Sequence, residues 1–375
     1  MWPKAFWEKL YEPIIRRAAG LGSLSGQPDP DLYDKGFLHC DLLIIGAGPA
    51  GLAAALTAGR SGADVILVDE DFVLGGRLNS ESYRLDEATG ADWARAAVAE
   101  LASLPNVRLM ARTTVLGSFD HGIYGALERV ADHLPSPAAG TPRQILWRIY
   151  TKRSLLCAGA IERPIAFQNN DRPGIMLGSA LRSYANRWGA AVGQEVAIFT
   201  NNDEGHSTAR DLLAKGLRIA AVIDSRADAP KSTAYEVLAG AVVTNTAGRL
   251  GLRSVTVGLP NGQSRTIGCQ ALGVSGGWNP NVHLTCHQRS KPKWDANLAA
   301  FVPGANLPAG MSVAGAANGQ MSTTAALASG AAAAVACLAD LGVSANLPKL
   351  PATEDSPLRL TPLFHVPGKG RAWLD

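Results

Sequence analysis

The run Asp41-Leu42-Leu43-Ile44-Ile45-Gly46-Ala47-Gly48-Pro49-Ala50-Gly51 decides how the rest of the chain is read. A short apolar stretch ends in a glycine turn, and a helical stretch follows through Arg60. A second apolar stretch, Asp64 to Val68, closes on Asp69. A strand, a turn spaced G-x-G-x-x-G, a helix and a strand ending in an acid form the fingerprint of a dinucleotide-binding unit. Gly46 permits the tight turn, Gly48 lets the backbone approach a pyrophosphate, and Gly51 lets helix and strand pack closely. The helix start would offer free N–H groups and a partial positive charge to the diphosphate. Asp69 or Glu70 would accept hydrogen bonds from ribose hydroxyls, and an acid there disfavours a 2′-phosphate.

Working outward, Gly75-Gly76-Arg77-Leu78 reads as a second glycine turn lining the nucleotide. Cys157-Ala158-Gly159-Ala160 ends a strand, precedes Arg163-Pro164, and is expected to cross back toward the cofactor. Thr114, Val115, Arg163 and Gly315 complete the expected cofactor-binding set. The pattern starts again at Glu195: Val196 to Thr200 reads as a strand, Ser207 to Lys215 as a helix, and Leu217 to Ile223 as a strand closing on Asp224. Its turn is different. Thr200-Asn201-Asn202-Asp203-Glu204-Gly205-His206 has one glycine, and its two acids would repel a diphosphate, so weak nucleotide binding or none is expected there.

At 375 residues the chain has room for two or three domains. A hydrophobic share of 47% against 18% charged excludes disorder and fits strands buried under close-packed helices. Net charge is only +3, which gives no case for a nucleic-acid or membrane-surface partner. Cys40, Cys157, Cys269, Cys286 and Cys337 are odd in number and lack a C-x-x-C pair, which fits free thiols in the cytoplasm and no dithiol centre. Residues 311–339 are rich in alanine but carry Asn318, Gln320 and a Ser/Thr cluster, so a buried helix is expected rather than a membrane span. Charges from Glu8 to Arg17 interrupt any signal-peptide core. The apolar stripe Trp2, Phe6, Leu10 and Ile14, with Trp7, Tyr11 and Ile15, should pack on its own chain or else on another subunit.

Three patterns carry less weight. Gly273-Val274-Ser275-Gly276-Gly277 matches a hydrolase nucleophile elbow, but Trp278-Asn279-Pro280 blocks the helix an elbow requires. His283, Cys286 and His287 have metal-like spacing without a matching ligand pair, and are read as ordinary polar or core residues. Asp29, Asp31 and Asp34 lack the glycine and distal glutamate of a calcium loop. No catalytic acid, base or nucleophile, and no metal site, is expected.

The run from Gly46 to Leu78, Ala158 to Pro164, Asn169-Asn170-Asp171-Arg172-Pro173-Gly174-Ile175-Met176 and Phe199 to Asp203 together resemble the alpha subunit of heterotetrameric sarcosine oxidase. Ser275 to Pro280 and Ala314 to Gly319 extend the resemblance over nearly the whole chain. It implies an α/β fold like that of the FAD-dependent disulfide reductases, with two FAD/NAD(P)-binding domains and the second Rossmann-like unit inserted in the first. The boundaries expected are 1–40 for a leader helix and linker, 41–165 with 265–345 for the first domain, 166–264 for the insertion, and 346–375 for an irregular tail. The resemblance also implies NAD in this chain, at Gly46, Gly48, Pro49, Ala50, Asp69, Gly76, Arg77, Ala158 and Gly159. It further implies FAD on a beta subunit, where sarcosine is oxidised, FMN near the alpha–beta interface, and gamma and delta subunits. The overall reaction would turn sarcosine, oxygen and tetrahydrofolate into glycine, hydrogen peroxide and methylenetetrahydrofolate. The family's alpha chain is much longer, so this chain reads as a fragment, split product or excised part whose tail leads toward a missing folate domain. Other readings are part of an opine or amino-acid oxidase or dehydrogenase complex, an autonomous FAD-dependent NAD(P)H oxidoreductase, and a non-catalytic assembly module.

Overall fold

A computed structural model describes residues 6–20, 22, 26–353 and 358–373. Its first sheet is ordered Val107–Met110, Val65–Val68, Tyr33–Ile45, Gln144–Leu156, Ile123–Arg129 and Thr113–Phe119, and Met311–Val313 pairs with the end of Gln144–Leu156. Leu42, Leu43 and Ile44 are fully buried, as an apolar run in a parallel strand covered on both faces should be. One face is covered by the helices Pro49–Arg60 and Thr323–Ala339. Small residues let them touch: a Cβ on Gly330 would lie 2.8 Å from Ala50 Cα. Residues 311–339 thus divide into a strand and a buried helix, and no described helix is long and apolar enough to cross a membrane.

The central strand is longer than its apolar run. Residues 33–40 fall in the expected leader, yet they pair residue by residue with Gln144–Thr151. Ring contacts of Tyr150 with Phe37 and His39 reinforce a pairing that local hydrophobicity does not announce. The leader stripe also differs from the expectation of packing on its own chain. The helical residues Trp7–Ala18 include none that is buried, and Phe6, Trp7, Leu10, Ile14 and Ile15 are exposed. Trp2 lies outside the described residues.

The second sheet is wholly parallel, ordered Ile175–Leu177, Ala271–Ser275, Glu195–Thr200, Arg218–Asp224 and Val237–Ala239. It extends past the boundary expected at 264, because buried Ala271–Ser275 pairs on both sides within this sheet. Its helix starts at Asp203, earlier than Ser207, since the Asn202 side chain accepts from Glu204 N and two acids occupy the first turn. After Ser275 the chain enters the strand Trp278–Pro280, so the elbow pattern leads from strand to strand. That strand pairs antiparallel with Ala160–Glu162 and links the two units. The tail has little regular structure but is tied down, with Ala166 N donating to Phe364 O and Thr361 N to Asn201 O.

Glu162 is buried at this link, where its carboxylate accepts from Ser179 N at 2.6 Å. Burial pushes its carboxyl up, against hydrogen bonds from Ser275 and Ser179 that lower it. A raised folded value gives stability that is full below the unfolded value and lost as pH rises through the folded one. Thermal midpoints of the parent chain should therefore fall as pH rises above the ordinary carboxyl range, and Glu162→Gln should flatten that fall. Parallel slopes for the two proteins would refute the assignment.

Candidate functional site

A cleft of about 580 Å³ opens above the carboxyl ends of the first sheet, in the size range of small-molecule sites. Its floor is the glycine turn. At Gly46 φ is +100°, and an added Cβ would lie 2.8 Å from the Cys157 carbonyl carbon. A Cβ on Gly51 would overlap the Gly46 carbonyl oxygen, so this glycine serves helix-to-strand contact. Gly48 is the exception. Its backbone is ordinary (φ −73°), and nothing lies within 4 Å of an added Cβ. No side chain caps the helix that begins at Pro49, and Gly48, Pro49 and Ala50 line the same cleft. A cradle that a side chain would fill, above an uncapped helix start, fits a dinucleotide diphosphate.

Asp69 sits at the strand end beside this turn. Its Oδ2 accepts from Ala47 N at 2.6 Å and its Oδ1 from Asp71 N at 2.8 Å. Burial pushes its carboxyl up, while these two amides pull it down. The acid braces the glycine turn and, with lone pairs to spare, can still accept from a ribose. Glu70 is exposed on the cleft rim. Arg77 faces the cleft, but its guanidinium is engaged: Nε bonds Glu81, Nη1 donates to Met321 O at 2.6 Å, and Nη2 lies 3.5 Å from Glu204.

Of the residues read from the sequence, Gly46, Gly48, Pro49, Ala50, Asp69, Glu70, Gly76, Arg77, Thr114, Val115, Ala158 and Gly159 line the cleft. Four do not. Gly51 and Leu78 lie behind its wall, as packing positions. Gly315 abuts Ala50 and donates its N–H to Ser329. Arg163 is a bolt between the units, donating to Gly276 O, Asn279 and Ala299 O. The far wall is not legible in the sequence: Trp278, Asn281, His283, His287, Gln320 and Met321 come from connections distant along the chain. Asn281 Nδ2 donates to Ala158 O at 2.7 Å and so pins the crossing segment over the turn. The histidines read as ordinary therefore face the cleft, and among the described residues no group of three His, Cys, Asp or Glu is placed to hold a metal.

All five cysteines are free. Burial pushes the Cys40 and Cys269 thiols up to about 12, and raises Cys157 beneath the glycine turn as well. Cys337 is buried and only Cys286 is partly exposed. A disulfide reagent at neutral pH should therefore modify one thiol of the native chain quickly and all five after denaturation. Cys286→Ser should remove the fast phase; its persistence would show that another thiol is accessible.

Residues 41–115 match a family described as FAD dependent oxidoreductase. The alpha subunit of sarcosine oxidase from Rhizobium meliloti (strain 1021) is 45% identical over 100% of this chain, which spans 38% of that relative. An opine oxidase chain of Agrobacterium tumefaciens (strain Ach5) is 30% identical over 80% of this chain and 66% of its own length. The crystal structure of thioredoxin reductase from T. acidophilum superposes with a TM-score of 0.62 at 16% identity, covering 81% of this chain and 99% of that one. The fold is thus the α/β FAD/NAD(P)-binding fold that thioredoxin reductase also has, and the chain is similar along its whole length to a sarcosine oxidase alpha subunit.

Proposed function

Because the chain is homologous along its whole length to sarcosine oxidase alpha subunits, we propose that it is the dinucleotide-binding part of a multisubunit oxidase acting on sarcosine. In this reading the cleft over Gly48 holds NAD. Gly46, Gly48, Pro49 and Ala50 receive its diphosphate, Asp69 or Glu70 its ribose, and Gly76, Arg77, Thr114, Val115, Ala158 and Gly159 the flanks. A bound nicotinamide dinucleotide supplies hydride chemistry; this chain binds and orients it. Sarcosine oxidation belongs to a beta subunit with FAD, FMN lies near the alpha–beta interface, and gamma and delta subunits complete the assembly. Oxygen and tetrahydrofolate are consumed, and glycine, hydrogen peroxide and methylenetetrahydrofolate are formed.

The identity of 45% over the full chain carries this reading, and the open space at Gly48 supports its dinucleotide part. Free thiols agree with a cytoplasmic location. Titration calorimetry with NAD, NADP and FAD tests the cleft: NAD should bind, and no heat from any of the three sinks the dinucleotide claim. Isolation from the native cell should bring down a flavin-bearing partner. A chain that is yellow and oxidises NADH alone would instead be an autonomous oxidoreductase. The match to an opine oxidase chain favours a second reading, in which the partner oxidises an N-substituted amino acid larger than sarcosine. Relative rates of the isolated complex on the two substrates separate these readings.

A further inference from the structure

The second unit's own phosphate position is occupied by protein. Asn202 caps the helix start, Asp203 N donates to Arg359 O, and Thr361 N donates to Asn201 O. Asp224, where a ribose acid would stand, is consumed by His206 at 2.8 Å and by Arg226 at 2.8 Å. What this unit does offer is a grip on the first. From Gly178–Trp188, Asn186 donates to Ser80 O, and Asp211 of the neighbouring helix accepts from Ser82. The helix Gly178–Trp188 also carries Arg187 in its last turn, whose Nη1 and Nη2 donate to Asp71 Oδ2 and Oδ1 at 2.6 and 2.7 Å. That bidentate pair is held flat by two rings, with the guanidinium carbon 5.0 Å from the Phe72 centroid and 4.7 Å from that of Trp188. Asp71 in turn donates its N–H to Asp69 Oδ1, and Asp69 Oδ2 accepts from Ala47 N. Arg187 therefore reaches the glycine turn through one residue: it holds the Asp71 carboxylate, and the Asp71 backbone N–H holds the Asp69 side chain that braces the turn.

We propose that Arg187 is a positioning residue for the nucleotide site: through Asp71 it fixes the Asp69 carboxylate at the adenosine ribose, and so sets the preference for a 2′-hydroxyl over a 2′-phosphate. The proposal rests on reading the cleft as a dinucleotide site. A planar, bidentate partner is required because a carboxylate that distinguishes hydroxyl from phosphate must keep its direction as well as its charge. Loss of the guanidinium frees Asp71 and leaves Asp69 with one amide at the turn and one on a loosened loop.

The test measures NAD and NADP affinity by calorimetry, together with the thermal midpoint, for the parent chain, Arg187→Met, Arg187→Lys and Asp71→Asn. The parent should prefer NAD. Arg187→Met and Asp71→Asn should each reduce the NAD-to-NADP preference by about tenfold, and Arg187→Lys should recover part of it. A variant that loses affinity for both nucleotides equally, or keeps the parent's ratio, overturns the proposal. A parent chain that binds neither nucleotide overturns the cleft reading, and the proposal with it. Asp71→Asn breaks the same pair from the other side, so an Arg187→Met chain that fails to fold does not end the test.

Discussion

Gly48→Glu should weaken dinucleotide binding by about a hundredfold or more while leaving the unfolding midpoint within error of the parent chain. Both halves follow from local geometry. At φ −73° and ψ −170° any residue is at ease, and an added Cβ meets nothing within 4 Å, so the fold has no objection to a side chain. The same space is where a diphosphate would approach the amides of the helix start, and a carboxylate placed there both fills it and repels the anion. A hundredfold corresponds to about 2.7 kcal/mol, within reach of one misplaced charge plus lost backbone hydrogen bonds. Gly51→Ala provides the contrast. Its Cβ would overlap the Gly46 carbonyl oxygen, so it should lower stability as well as affinity. Calorimetry and thermal unfolding on both variants separate a glycine kept for a ligand from one kept for packing. Intact affinity in Gly48→Glu would mean that the diphosphate lies elsewhere.

That contrast also marks how far the sequence can be read. The first strand, the glycine turn and the acid are contiguous, so their chemistry is visible in a short window, and most residues drawn from that window face the cleft. Residues 33–40 read as linker because their order comes from pairing with Gln144–Thr151, more than a hundred positions away in the chain. Ala271–Ser275 is an apolar strand whichever sheet it joins, and nothing local assigns it to the second. Arg163 follows a small-residue crossing and reads like a cofactor contact, yet its donors are taken by Gly276, Asn279 and Ala299. Arg187 shows the opposite error. It is one arginine in the last turn of a helix, and only the folded chain brings it to Asp71.

Arg182→Met should be the most destabilising of these substitutions, costing about 3–5 kcal/mol at neutral pH. Arg182 is nearly fully buried and bonds Asp211 and Glu204 at 2.8 Å each, with Glu81 at 3.5 Å. Arg77 is the other cation, on Glu81 and Glu204. Removing Arg182 leaves Glu81 and Glu204 to share Arg77, and leaves Asp211 with only the neutral side chains of Ser82 and Asn186, all largely out of water. Breaking one side of a buried ionic cluster costs more than the cluster contributes intact, because the remaining charges cannot be rehydrated. Glu204→Gln added to Arg182→Met should therefore restore part of the loss, which simple loss of packing would not allow. The pH dependence has a definite sign. Burial already pushes the Glu81 carboxyl up against the two arginines, and losing one of them raises it further. A raised folded value makes stability fall as pH rises, so the deficit of Arg182→Met should shrink on acidification from about pH 7 to about pH 5. Urea midpoints for the parent, single and double variants at both pH values check this. A deficit that is independent of pH and of Glu204 would show that Arg182 acts through shape alone. Of the two arginines of one helix, Arg182 joins Glu204 and Asp211 of the second unit to Glu81 of the first, and Arg187 is the one proposed to orient Asp69.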